Sequence, residues 1–333
     1  VSRSKCIASA SCAACARKTT PIPPASIASS AATRATAASP TRTFGSAIAH
    51  LLGPTASRLP PYVWIKPGNG GFRAEDAGFL GPKFGSLAFG DGKPPENLLR
   101  HPAITAEQDE ARNELRALLD RRYAARRAAP SVEANATVFD MASELMKRAD
   151  IFDTTKLPPR DIERYGAHDF GRHMLIARRM LESGVRFVKV TSYGWDTHGD
   201  NFNAHAAMVP KFDQAFAAML EDLAATGLLD QVLVVCLSEF GRTPRVNGHV
   251  GRDHWPEAWS LAMGGCGLQR GAVIGATNDQ GTFVKDAGYD IGALFHTWYR
   301  ALGIDPVATE FDNKGQPLPI AHDEMHAIKE ALA

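Results

Sequence analysis

The chain has 333 residues, with 37 Lys and Arg against 36 Asp and Glu, for a net charge of +1. That length supports one large or two ordinary domains with a sizeable core, and a charge so close to zero gives no footing for nucleic acid or an anionic membrane as the main partner. The +1 conceals a split: residues 1–43 carry six bases (Arg3, Lys5, Arg17, Lys18, Arg34 and Arg42) and no acid, so residues 44–333 net −5.

Residues 1–43 are rich in Ala, Ser, Thr and Pro, and their large apolar residues are Val1, Ile7, Ile22 and Ile27. Such a segment buries too little apolar surface to offset its ordering entropy, and we expect it to be disordered. It lacks the 7–15-residue apolar run of a secretory signal. Cys12-Ala-Ala-Cys15 is a CxxC without a strand–helix context or a second ligand pair, so neither a thioredoxin-like nor a zinc reading holds. Cys236 sits in an apolar run and Cys266 in a glycine-rich turn, and both read as structural.

From Phe44 the texture is that of one globular domain, residues 44–333. Pro60–Ile65 reads as a short buried strand. Residues 106–128 place Leu115, Leu118, Leu119 and Tyr123 at helical spacing among charges, as an amphipathic surface helix does, and residues 135–149 read as another helix. Together they suggest a helical insertion at about 100–160. Residues 169–182 read as a helix stopped by Gly184, Val185–Thr191 as a strand, and 202–225 as a long helix ended by Gly227. Gln231–Leu237 is an unbroken apolar run, as expected of a parallel strand covered on both faces. Trp259–Met263 is a further strand and 290–302 a further helix. The class is α/β, with a mostly parallel sheet flanked by helices.

Open sheets of this class bind ligands at the carboxyl ends of their strands. Two of the strands run into polar clusters. One is Ser192-Tyr193-Gly194-Trp195-Asp196-Thr197-His198; the other is Ser238-Glu239-Phe240-Gly241-Arg242-Thr243-Pro244, continued by a loop with Asn247, His249 and Gly251-Arg252-Asp253-His254-Trp255-Pro256. As parallel neighbours, these two strands would bring Asp196, His198, Glu239, Asp253 and His254 to one edge. Mixed imidazole and carboxylate donors suit zinc or manganese, and such an ion acts as a Lewis acid on bound water. Arg242 and Arg252 are candidates to neutralise an anionic substrate group. Read singly, Asp196 fits a helix cap equally well, and Asp253 a partner of Arg252. Ser238 lacks the G-x-S-x-G setting of a nucleophile elbow, His296, His322 and His326 read as core or surface histidines, and no dinucleotide or P-loop signature comes after a strand.

Gly194-Trp195-Asp196-Thr197-His198, Glu239-Phe240-Gly241-Arg242-Thr243-Pro244 and Gly251-Arg252-Asp253-His254-Trp255-Pro256, in this order, resemble the bacterial domain-of-unknown-function family 1501, with support from 177–188 and 302–306. That resemblance implies the alkaline phosphatase and sulfatase-like superfamily. It implies a three-layer sandwich, a divalent metal (zinc, with manganese or calcium as alternatives) and hydrolysis of a small phosphate or sulfate ester. Asp196, His198 and His254 are its candidates for one metal position, Glu239 for a second, and Asp253 is a weaker ligand; the catalytic nucleophile is not identifiable. It also implies an exported or periplasmic protein. Members begin with a first strand and a Gly-Gly-x-Ser-x-x-Asp-Thr-Phe-Asp-like motif that this chain does not show, so the sheet is expected to lack its amino-terminal strand. We expect residues 1–43, whose composition is wrong for that region, to be a start read in a shifted frame. The alternative function is a non-catalytic, metal-stabilised binding or scaffold protein of the envelope. No apolar run of membrane-spanning length is present.

Overall fold

The computed structural model describes residues 6–12, 42–68, 70–95, 98–125 and 130–333. In chain order these give β1 (Cys6–Cys12), α1 (Phe44–Leu51), β2 (Tyr62–Lys66), β3 (Gly71–Arg73), β4 (Ser86–Gly90), α2 (Ala106–Ala124), α3 (Pro130–Lys147), α4 (Pro159–Tyr165) and α5 (Asp169–Glu182). The chain continues with β5 (Phe187–Ser192), α6 (Asn201–Ala225), β6 (Val232–Ser238), β7 (Gly241–Arg242), β8 (His254–Trp255), β9 (Ala262–Gly264) and α7 (Ile291–Ala301).

Seven strands form one sheet in the order β3-β4-β2-β5-β1-β6-β9. The five inner strands run parallel, while β3 and β9 close the edges antiparallel. Side chains alternate along these strands, as the pleat requires. Val63, Ile65, Val188, Val190, Val232 and Val234 enter a core with α5 and α6. Tyr62, Phe187, Leu233 and Val235 enter a second core with α1 and α7 on the opposite face. The result is three layers, helix–sheet–helix.

Helix ends obey local chemistry. Thr43 caps α1 and Asp290 caps α7 with side-chain acceptors. α5 and α7 both end in a Schellman turn: Gly184 (φ +89°) and Gly303 (φ +77°) take the left-handed position, and Val185 and Ile304 donate back to Met180 and Tyr299. No described helix is long and apolar enough to cross a membrane.

Three expectations change. The sheet does not lack an amino-terminal strand. Cys6–Cys12, expected to be disordered, pairs in parallel with β5 on one side and β6 on the other. Its composition gives no sign of this, because backbone pairing in the middle of a sheet does not depend on large apolar residues on the strand itself. Cys15 and the rest of residues 13–41 lie outside the described residues. Arg42 and Thr43 also belong to the fold, with the Arg42 guanidinium 4.0 Å from the centroid of the Phe311 ring. Second, β5 and β6 are not neighbours, since β1 lies between them. Third, α2 is a helix as expected, yet it buries no residue and turns its apolar stripe outward.

Candidate metal centre

The strand ends come first. In register, Cys12 stands level with Ser192 on one side and Ser238 on the other. β1, β5 and β6 thus finish on one edge, and the chain leaves all three there. After β5, Gly194 (φ +98°) makes a left-handed turn that L side chains disfavour. The Trp195 indole then donates to Ser192 Oγ at 2.9 Å and packs edge-on against His205 and Phe212 of α6. These contacts fix the chain immediately before Asp196.

After β6, Gly241-Arg242 pairs antiparallel with His254-Trp255, so β7 and β8 form the neck of a loop. A Cβ on Gly241 would lie 2.1 Å from the Ala258 carbonyl oxygen, so glycine is required at this approach. Asn247 braces the loop. Its Oδ1 accepts from His249 N and Gly251 N, both at 2.9 Å, and its Nδ2 donates to His198 O at 3.0 Å and Asp253 Oδ1 at 3.1 Å. Arg252 N donates to Thr197 O at 3.1 Å, tying this loop to the one after β5.

The two loops bring three donor atoms together. Asp196 Oδ1 lies 2.9 Å from His198 Nε2 and 2.9 Å from His254 Nε2, and the two imidazole nitrogens are 3.1 Å apart. Donors on one divalent ion with bonds of about 2.0–2.2 Å are separated by about 3.0–3.5 Å, so this triangle is close to the size one ion spans. Phe240 packs over the His254 ring with centroids 4.1 Å apart.

Of the expected ligands, Asp196, His198 and His254 meet as anticipated. Asp253 stands behind them. Its Oδ1 is 2.8 Å from His198 Nδ1, the nitrogen turned away from the triangle. Glu239 borders the cluster, and no described residue donates a hydrogen bond to it. Arg242 differs from the expectation of a free anion-binding group. It donates to Asp196 Oδ1 at 2.7 Å, Trp195 O at 3.1 Å and Arg252 O at 3.1 Å, and so fastens the two loops. Arg252 donates to Thr243 O and Pro244 O and is also structural. Ser238 Oγ donates to Phe240 O at 2.8 Å, which ties it to the backbone. His296 is buried, with Nε2 2.8 Å from His322 O, and takes no part in the cluster.

The charges suit a cation. Partial burial works against ionising Asp196, but the hydrogen bonds with His254 and Arg242 outweigh it and hold the carboxyl below its usual range. Asp253 is held low by its hydrogen bonds with His198 and Asn247. Burial raises Glu239, aided by Asp196 and opposed by His254 and Arg242. His205 is pushed down by burial and by Arg242 and Arg252. The braces are the parts that a sequence does not reveal: Asn247 reads as an ordinary loop residue, and the Trp195–His205 contact leaves no motif.

No curated protein and no solved structure matches the chain. The family model described as Protein of unknown function (DUF1501) matches residues 9–332, and the chain belongs to that family.

Proposed function

We propose that Asp196, His198 and His254 hold a divalent cation, zinc in the first instance, in a hydrolase of phosphate or sulfate esters related to the alkaline phosphatase and sulfatase-like superfamily. The observation that carries this reading is the triangle of Asp196 Oδ1, His198 Nε2 and His254 Nε2, with edges of 2.9, 2.9 and 3.1 Å. Three protein donors leave further coordination positions open, the pattern of catalytic rather than closed structural sites. A cation bound there supplies Lewis acidity and lowers the pKa of a coordinated water.

The chain's own groups prepare that role. Asp253 accepts from His198 Nδ1–H and leaves Nε2 with its lone pair toward the triangle, the carboxylate–histidine arrangement of metal sites. Arg242 keeps Asp196 anionic and in place. Glu239 is the proposed further carboxylate ligand. The backbone leaving β1 at Cys12 emerges level with Ser192 and Ser238, at the edge where the donors collect.

The test is metal titration of the full chain, then a screen of aryl phosphates and aryl sulfates. The reading expects about one tightly held divalent ion per chain and turnover of one ester class. Both should be lost in His198→Ala and His254→Ala while the circular dichroism spectrum is kept. Metal binding that raises the melting temperature without hydrolysis of any ester would favour the scaffold function instead. A chain that binds no divalent ion would overturn both.

A further inference from the structure

The helical insertion carries a surface that the metal centre does not use. On α2, Leu115, Leu119 and Tyr123 are 57%, 54% and 48% exposed, and Leu118 is 39% exposed. At 3.6 residues per turn, Leu115, Leu118 and Leu119 share one face, with the Arg122 stem one turn on. The opposite face, which meets α3, is polar and half-buried: Asp109, Asn113, Arg116 and Asp120. Arg116 bonds Asp120 at 2.9 Å, lies 3.8 Å from Asp140 and sits 4.3 Å from the Phe139 ring centroid. This helix turns a polar stripe of Asp109, Asn113, Arg116 and Asp120 toward its neighbour and its leucines toward water, the reverse of an ordinary amphipathic surface helix.

Charge along the helix indicates what fits there. The exposed charges of the first half, Ala106 to Leu115, are three acids (Glu107, Glu110 and Glu114) against one base (Arg112); those of the second half are two bases (Arg121 and Arg122) and no acid. A second α2 laid antiparallel sets each half against its opposite, whereas a parallel one sets like against like. With Leu115 layered on Leu118 of the second copy, coiled-coil spacing puts Glu114 beside Arg121 of that copy, twice by symmetry. We propose that the exposed leucine face of α2 is a self-association surface, through which two copies of this chain pair as an antiparallel helix dimer.

The experiment is sedimentation equilibrium of the full chain from low micromolar to about 100 µM. The wild-type chain should be dimeric within that range, and Leu115→Glu with Leu118→Glu should be monomeric with an unchanged helical spectrum. α2 contributes no buried residue, so these changes spare the core. Glu114→Arg alone and Arg121→Glu alone should each weaken the dimer about tenfold, and the two together should restore it. A wild-type monomer throughout the range, or a dimer indifferent to the leucine changes, would overturn the proposal. Failure of the charge pair to rescue would overturn the antiparallel register.

Discussion

Asp253 Oδ1 lies 2.8 Å from His198 Nδ1, and this contact turns the other imidazole nitrogen toward Asp196 and His254. On the proposed reading, this pair decides which nitrogen faces the cation. Asp253 is itself held by Asn247 Nδ2 at 3.1 Å, so the orientation of His198 is set by two residues of the facing loop.

Asp253→Ala should therefore lower divalent-metal affinity about 10–100-fold, the usual cost of removing an outer partner of a ligating imidazole. Asp253→Asn, which can still accept from Nδ1–H without the charge, should lose less. Both side chains of the pair are exposed, so the melting temperature without metal should stay within a degree or two of wild type. Competition with a chelating dye reads the affinity. Equal affinities for wild type and Asp253→Ala would show that the contact does not orient a ligand.

Gly251 gives a steric version of the same test. A Cβ there would stand 2.0 Å from both the carbonyl carbon and the oxygen of His198. These are backbone atoms and cannot swing aside, so Gly251→Ala must move the loop, with a strain on the order of 1–3 kcal/mol. The displacement falls on His198, and metal affinity should drop about tenfold or more. Calorimetric titration checks this. Full retention of metal binding would mean the triangle does not depend on this approach.

The parts legible in the sequence are those written in local periodicity. α5, β5, α6, β6 and α7 lie within one or two residues of their expected bounds, because alternation on strands and three- and four-residue steps on helices arise directly from burial. Asp196, His198 and His254 are legible too, since parallel strands must deliver their carboxyl-terminal loops to one edge. Pairing is the hidden part. Spacing in one dimension does not tell which nitrogen of His198 meets which carboxylate, so Asp253 looks like a ligand. Arg242 shows its charge but not that Asp196, Trp195 O and Arg252 O absorb its donors. β1 escapes notice because its place between β5 and β6 rests on non-local backbone pairing, and its run of Ala, Ser and Cys with one Ile carries no apolar signature.

Lys189 offers a stability test inside the sheet. It lies on β5 with Nζ 4.5 Å from the Trp64 ring centroid, and burial pushes its ammonium down to about 8 against the pull of Asp76. An unfolded lysine titrates near about 10.4. Between those values the unfolded state binds more protons, so this group makes stability rise with pH through that window. Below it, both states are protonated and the folded state carries the cost of a poorly hydrated charge. Lys189→Met should stabilise the protein at pH 7 by roughly 1–3 kcal/mol and remove that rise. Urea unfolding at pH 7, 8.5 and 10 measures both. A variant less stable than wild type at pH 7 would show that the ring contact outweighs desolvation.

Asp222 sets the opposite limb of the pH profile. It accepts from Arg164 Nη1 at 2.7 Å and Tyr165 Oη at 2.9 Å and bonds Arg178, joining α4, α5 and α6 beneath the sheet. Its side chain is only 14% exposed. Burial opposes its ionisation, but bonds from Arg164, Arg178 and Tyr165 prevail and depress its pKa. A carboxylate depressed in the folded state contributes fully above its unfolded value of about 3.9, and that contribution is lost as pH falls through the folded value. Asp222→Asn removes the charge and leaves Arg178 and Tyr165 imperfectly paired, so it should cost about 3 kcal/mol at pH 7. The gap between variant and wild type should narrow as pH falls below the unfolded value of about 3.9 toward the depressed folded value. Urea unfolding of the two proteins at pH 7, 5 and 3 tracks that gap; a difference that stays constant across the series would assign the loss to packing rather than to charge.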